Sequence, residues 1–197
     1  MALTKRAWRS AFISIAIIIS AAGLVQATTV IMPTDTQLMI ESRAIVRGKV
    51  NEISTALDDQ HGLVYTYIKL KVTEVFKGDI RDRVIVIKQP GGSFGDRGSM
   101  IFGSPQFSAG EQVIVYLQTM DDGTLRVHDA FLGKYSIVKN ASGDQMVVRG
   151  APQGEVKILP QVSQGDATEQ MELRAYLKML RSGLSENMQK SFDFADR

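Results

Sequence analysis

The sequence predicts a mainly β chain: a closed antiparallel barrel with a short N-terminal helix before it and a C-terminal helix after it. Three observations carry this. In Thr66, Ile68, Leu70 and Val72 the apolar or β-compatible side chains fall on every second residue, while Tyr65, Tyr67, Lys69, Lys71 and Thr73 take the other face, the pattern of a half-buried strand. The alternation slips at Glu74, because Val75 and Phe76 follow where a polar residue was due, and one extra residue is what a β-bulge supplies. Val84-Ile85-Val86-Ile87 is an unbroken β-branched run, which suits a strand covered on both faces. A sandwich is the other architecture built from short strands, but the coiling that a bulge imparts favours the barrel.

Residues 1–27 stand apart from this pattern. Lys5, Arg6 and Arg9 form a charged start, Ala11 to Val25 is a small-and-apolar stretch, and Val25-Gln26-Ala27 ends on the small-x-small signature of signal-peptidase cleavage. The expectation is a signal peptide cut after Ala27, leaving a periplasmic or secreted bacterial protein with no membrane span. An uncleaved anchor is the competing reading, but about 15 apolar residues fall short of the roughly 20 that a spanning helix needs. The whole chain carries 23 basic and 21 acidic residues; three basic and no acidic residues lie in the first 27, so the mature chain holds 20 against 21 and is close to neutral. Global attraction to nucleic acid therefore has no support. With no cysteine among its 197 residues, the chain has neither disulfides nor a thiolate metal site, and its own core must hold it.

Taken in order, Thr28 to Met32 is a short β-compatible lead-in. Thr34-Asp35-Thr36-Gln37 matches a capping box and predicts a short helix carrying Leu38, Met39 and Ile40. Ala44 to Ile53 reads as strand, interrupted by Gly48, and Asp58-Asp59-Gln60-His61-Gly62 as a hairpin turn into the strand that starts at Leu63. Lys77-Gly78-Asp79 ends that strand. Gln89 to Gln112 is a long glycine-rich loop, yet it holds Phe94, Met100, Ile101, Phe102 and Phe107, too many large apolar groups for a disordered linker. It is expected to fold over the barrel end, with Ser104 to Phe107 as a short edge segment. Val113 to Leu117 is a strand, Met120-Asp121-Asp122-Gly123 a hairpin turn into Thr124 to His128, and Phe131 to Lys139 with Met146 to Arg149 a last pair. Residues 28–150 thus form the barrel domain. Residues 151–166 read as a linker containing Pro152 and Pro160, residues 167–184 as a helix with a Leu173, Tyr176, Leu177, Leu180 stripe closed by Gly183, and residues 185–197 as a flexible tail.

The segments Ser42 to Val50, Val72 to Asp79, Pro90-Gly91-Gly92 and Phe107 to Val113 resemble those of uncharacterised exported bacterial proteins with an OB-like barrel. More remotely they are similar to the barrel of tissue inhibitors of metalloproteinases and netrin-type modules. The resemblance covers Leu38 to Val138 and implies an OB-like closed antiparallel barrel and a protein-binding, inhibitor-like role. In those inhibitors an N-terminal cysteine addresses the protease zinc; here the expected mature N-terminus is Thr28 and cysteine is absent, so zinc-directed inhibition does not carry over.

No catalytic constellation accompanies the fold, and neither cofactor nor metal is expected. His61 lies in a polar turn beside Asp58 and Asp59, and His128 reads as a strand-end residue. Ser136-Ile137-Val138-Lys139 fits a Ser-x-x-Lys pattern, but it alternates as a strand and lacks the partner motifs of that chemistry. The binding candidates are Tyr65, Tyr67, Lys69 and Lys71 on one strand face, where aromatic and basic groups can stack and pair, together with Phe94, Phe102 and Phe107 of the loop. The functional expectation is a non-enzymatic module binding a protein partner in the cell envelope or medium. The alternatives are a hydrolase with scattered catalytic groups and a structural accessory whose C-terminal helix packs on another subunit.

Overall fold

The computed structural model describes residues 29–58, 62–149, 157–160 and 170–195. The expected signal peptide, His61 and most of the expected linker lie outside them. In chain order the elements are β1 (Thr29–Met32), α1 (Asp35–Glu41), β2 (Ala44–Asp58), β3 (Leu63–Lys77), β4 (Val84–Pro90), β5 (Gly92–Phe94), β6 (Arg97–Ser99), β7 (Gln112–Thr119), β8 (Leu125–Val127), a 3-10 turn (Ala130–Gly133), β9 (Lys134–Lys139), β10 (Gln145–Arg149), β11 (Lys157–Pro160), β12 (Gln170–Glu172) and α2 (Leu173–Ala195). The chain is mainly β, with one helix near each end of the described region. No helix among the described residues is long and apolar enough to cross a membrane.

The capping box forms as the sequence predicts: the Gln37 amide donates to Thr34 Oγ1 at 3.2 Å, and Gln37 Oε1 accepts from the Thr34 amide at 3.0 Å. At the other end of α1 the Lys77 ammonium donates to the carbonyls of Met39 and Ile40 at 2.6 and 2.7 Å, a cation on the negative end of the helix dipole. Replacing Lys77 with Met is expected to cost about 1 kcal/mol by urea unfolding, since the two carbonyls then rely on water.

One eight-stranded sheet runs β12-β10-β9-β7-β2-β3-β4-β8, and β8 pairs again with β7. Following hydrogen bonds from β7 through β2, β3, β4 and β8 therefore leads back to β7. The link between β4 and β8 is a single parallel pair, Ile87 with Leu125. The slip expected at Glu74 takes the form of two single-residue bulges on β3: pairing with β2 passes over Thr73 and again over Phe76. Each bulge reverses the face a side chain takes. Val72 accordingly packs into one apolar cluster and Phe76 into the other.

Those clusters lie on opposite faces of β2 and β7. The inner one gathers Ala44, Val46, Val50, Ile68, Leu70, Ile85, Ile87, Val113, Val115 and Leu117. The outer one joins Ile45, Ile114 and Tyr116 to Leu38 and Met39 of α1 and to Leu173, Tyr176 and Leu180 of α2. So β7 and the first part of β2, from Ala44 to Gly48, are covered on both faces. β4 departs from the expectation, because Ile85 and Ile87 are buried whereas Val84 and Val86 are about half exposed, at 47% and 45%.

Other boundaries differ too. The interval 104–107 is not a strand; the loop forms a hairpin earlier, β5 with β6 around the two-residue turn Gly95-Asp96. The last strand pair starts at Lys134, since Ala130–Gly133 winds as a 3-10 turn. Within the expected linker, β11 pairs in parallel with β1. The C-terminal helix starts at Leu173, after β12, and continues through Gly183 to Ala195 in place of a tail. A Cβ at Gly183 would lie 2.9 Å from Met39 Cε, so this glycine is where α1 and α2 touch and does not act as a cap.

A polar network lies where the helices meet the sheet. Arg149 bonds both Asp35 and the Tyr135 hydroxyl, Tyr135 donates to Asp35 at 2.9 Å, and the hydroxyls of Tyr116 and Tyr176 lie 2.8 Å apart. Burial pushes the phenols of Tyr116, Tyr135 and Tyr176 well above the usual tyrosine range. The unfolded chain then releases these protons near pH 10 while the folded chain holds them, so stability is complete below pH ~10 and falls as pH rises through the elevated folded values. Alkaline titration followed at the tyrosinate absorbance should show these three ionising together with loss of circular dichroism. Ionisation of all tyrosines before any unfolding would contradict the burial.

Candidate functional site

Two cross-strand rows on the inner face of the sheet explain a pocket at one end of the core. Register places Ile53 opposite Ile68 and Ile68 opposite Ile87, an all-isoleucine row in the core. Two residues further along the same face, the row becomes Thr55, Thr66 and Gln89. Here the core ends and a pocket of about 500 Å³ opens, closed on its other side by the chain from Pro90 to Phe107.

Both threonines are tied to that chain. Thr66 donates to the Gly91 carbonyl and Thr55 to the Ser93 carbonyl, each at 2.7 Å, and Ser104 donates to the Pro90 carbonyl at 3.2 Å. Gly92 permits the close approach: it adopts φ +131°, and a Cβ there would lie 2.6 Å from Thr66 Oγ1. Gln89 differs from the threonines. It is only 3% exposed, yet its Nε2 has no hydrogen-bond partner among the described residues. A buried donor left without an acceptor is costly, and an oxygen-bearing ligand in the pocket would relieve it. Gln89→Leu is therefore expected to leave the protein as stable or make it more stable by up to about 1 kcal/mol, measured by thermal unfolding. A loss of stability would mean that the amide is satisfied inside the protein.

The exposed part of the pocket lining joins Met100 and Ile101 to the polar Ser93 and Gln106. Met100 is 67% and Ile101 37% exposed; Phe94 and Phe102, at 47% and 62%, stand on the same loop outside the lining. Phe107 packs on the inner core, borders the pocket and lies under the Lys134 ammonium, which is 5.0 Å from its ring centre.

The structure divides the residues that the sequence singled out. Phe107 belongs to the pocket. Tyr65, Tyr67, Lys69 and Lys71 leave β3 on the face opposite Thr66, so they do not share a surface with the pocket lining. On that outer face Lys88 lies over the Tyr65 ring at 4.5 Å and pairs with Asp122 at 3.1 Å, and Lys69 pairs with Glu52 at 2.9 Å. The hydroxyl and amide of Thr124, followed by Lys88, hold the Asp122 carboxyl well below the usual range. Lys71 is exposed, opposite Lys49 on β2 and Val84 on β4.

Sequence reasoning missed Thr55, Thr66, Gln89 and Ser104 as site residues. The alternation puts Thr66 on the apolar side of β3 with Ile68 and Leu70, where the structure has it, but a threonine there reads equally well as core. The two-residue Gly-Asp turn was a legible hairpin signal inside the loop. Ser136 sits on β9, where its hydroxyl donates to Glu111 Oε1 at 2.6 Å and accepts from Lys134, so its Ser-x-x-Lys spacing has no helical counterpart.

No protein-family model matches this chain, and no curated protein matches its sequence.

Proposed function

We propose that this chain is an exported, non-enzymatic binding module that seats a protein partner at the mouth of the pocket between the Thr55, Thr66, Gln89 row and the 90–107 loop. In this reading β7, β2, β3, β4 and β8 form an OB-like barrel that is antiparallel except where the single parallel pair Ile87 with Leu125 joins β4 to β8, a departure from the all-antiparallel closure that the sequence predicts; the return of the pairings to β7 supports it. The observation that carries the binding role is the pairing of exposed apolar groups on the loop with an unsatisfied amide. Met100 and Ile101 expose apolar surface on the pocket lining, Phe94 and Phe102 expose more on the same loop outside it, and the buried Gln89 donor has no hydrogen-bond partner among the described residues. Large exposed apolar groups gathered on one loop mark a contact surface. An extended peptide supplies both complements, an apolar side chain for the loop and a backbone carbonyl for the amide.

Burial of Leu173, Tyr176 and Leu180 in the cluster with α1 and the sheet favours this reading over an accessory subunit that docks through that stripe. Proteinase inhibition is the sharper form of the proposal, to be assayed if a protease is the partner recovered.

The test is capture from envelope and culture-supernatant extract on mature protein from Thr28 to Arg197, alongside Met100→Ser with Phe102→Ser and, separately, Tyr65→Ala with Tyr67→Ala. A specific protein lost with the loop variant and kept with the tyrosine variant is the expected result. Loss with the tyrosine variant alone would move the contact to the outer face of β3. Capture of nothing specific would overturn protein binding. Export is checked by sequencing the N-terminus of protein recovered outside the cytoplasm, with Thr28 expected first.

A further inference from the structure

We propose that Glu41, His128 and Asp129 form a binding site for a divalent transition-metal cation of the Zn²⁺ type, with a coordination position left open to solvent. The three come from separate elements. Glu41 is the last residue of α1, His128 follows β8, and Asp129 precedes the 3-10 turn. Their ligand atoms converge to within 4.8 Å of one another.

The imidazole is set up as a ligand. His128 Nδ1 lies 3.2 Å from Gln118 Oε1, and an amide oxygen only accepts, so the ring proton belongs on Nδ1 and the Nε2 lone pair is left free. Nε2 is buried and has no hydrogen-bond partner among the described residues. Glu41 Oε2 and Asp129 Oδ2 stand 3.5 and 3.7 Å from it. These separations decide between two occupants. A protonated imidazole would draw a carboxylate to about 2.8 Å. Ligands placed about 2.0–2.1 Å from a tetrahedral zinc lie roughly 3.3–3.4 Å from each other, close to what is observed.

The surrounding charge favours a cation. Two carboxylates face His128 Nε2 at the negative end of α1, and the cation that caps this helix, Lys77, bonds the carbonyls of Met39 and Ile40 and neither carboxylate. The backbone holds the arrangement in place: Asp129 and Ala130 adopt φ of 50° and 54°, and the His128 amide is anchored to the Tyr116 carbonyl at 2.8 Å. One imidazole and two carboxylates suit Zn²⁺ and its neighbours in the transition series better than Ca²⁺ or Mg²⁺, which favour oxygen alone.

The test titrates Zn²⁺ alone into untagged protein stripped by a chelator, with calorimetric detection, and repeats it with Co²⁺ to read coordination from the visible spectrum. One equivalent bound at micromolar concentration is expected, with a tetrahedral cobalt spectrum. Binding should vanish in His128→Gln and weaken at least about tenfold in Gln118→Leu, which frees the tautomer without removing a ligand. Asp129→Asn keeps a residue that tolerates the left-handed conformation while removing the charge, so its weakening cannot be assigned to a misfolded turn. Absence of stoichiometric binding in the wild type would overturn the proposal. So would zinc affinity unchanged in folded His128→Gln and Asp129→Asn, which would place the metal elsewhere.

Discussion

Asp35→Ala is expected to destabilise the protein by about 3–5 kcal/mol, the cost of removing one partner from a buried ion pair. The side chain of Arg149 is only 9% exposed, and Asp35 supplies its carboxylate partner. Without Asp35 the guanidinium stays buried and charged, since it cannot shed its proton, and the Tyr135 hydroxyl loses its acceptor as well. The loss falls on the joint between α1, β9 and β10, so the helical side of the sheet should loosen first. Urea unfolding of Asp35→Ala, Arg149→Met and the double variant separates the contributions. The double variant should be far more stable than the sum of the single losses implies, because it buries no orphan charge. A single-variant loss under about 1 kcal/mol would mean that water reaches Arg149 and that the network is not a dry one.

Gly133→Ala should cost about 3 kcal/mol, at the upper end for overpacking. A Cβ at this position would lie 2.1 Å from the His128 carbonyl oxygen and 3.1 Å from a Val127 methyl. The obstructing atom is backbone, and His128 is tethered through its amide to β7, so neither side can yield without breaking pairing. Thermal unfolding should show the loss directly. The same contact explains why the chain turns so tightly after β8. The turn also holds the pocket loop, because the Phe131 amide donates to the Gly103 carbonyl at 2.9 Å. An unchanged melting temperature would show that the turn can relax.

How far each feature could be read from the residues follows from the range of the interaction behind it. The capping box at Thr34 and Gln37 involves neighbours three apart, and the sequence was sufficient to place it. The slip around Glu74 was visible as a broken alternation, although its resolution into bulges at Thr73 and Phe76 required the partner strand. Val84 to Ile87 misled, since a β-branched run shows strand character without showing how many layers cover it. Gly183 misled for a similar reason: a glycine near a helix end reads as a cap, and only the position of Met39 shows that it makes room for another helix.

The sequence by itself determined that this is a mainly β chain with a helix toward each end, that its strand β3 is two-faced, and that the glycine-rich loop carries apolar groups. These are local properties, written in periodicity and turn chemistry. Only the tertiary structure decided which surfaces those features share. It set Gln89 beside Thr55 and Thr66 under the loop, turned Tyr65 and Tyr67 to the other face, and brought Glu41 next to His128 across 87 positions. Register between distant strands and the packing of helices on the sheet make those choices, and neither is encoded in any short stretch of the chain.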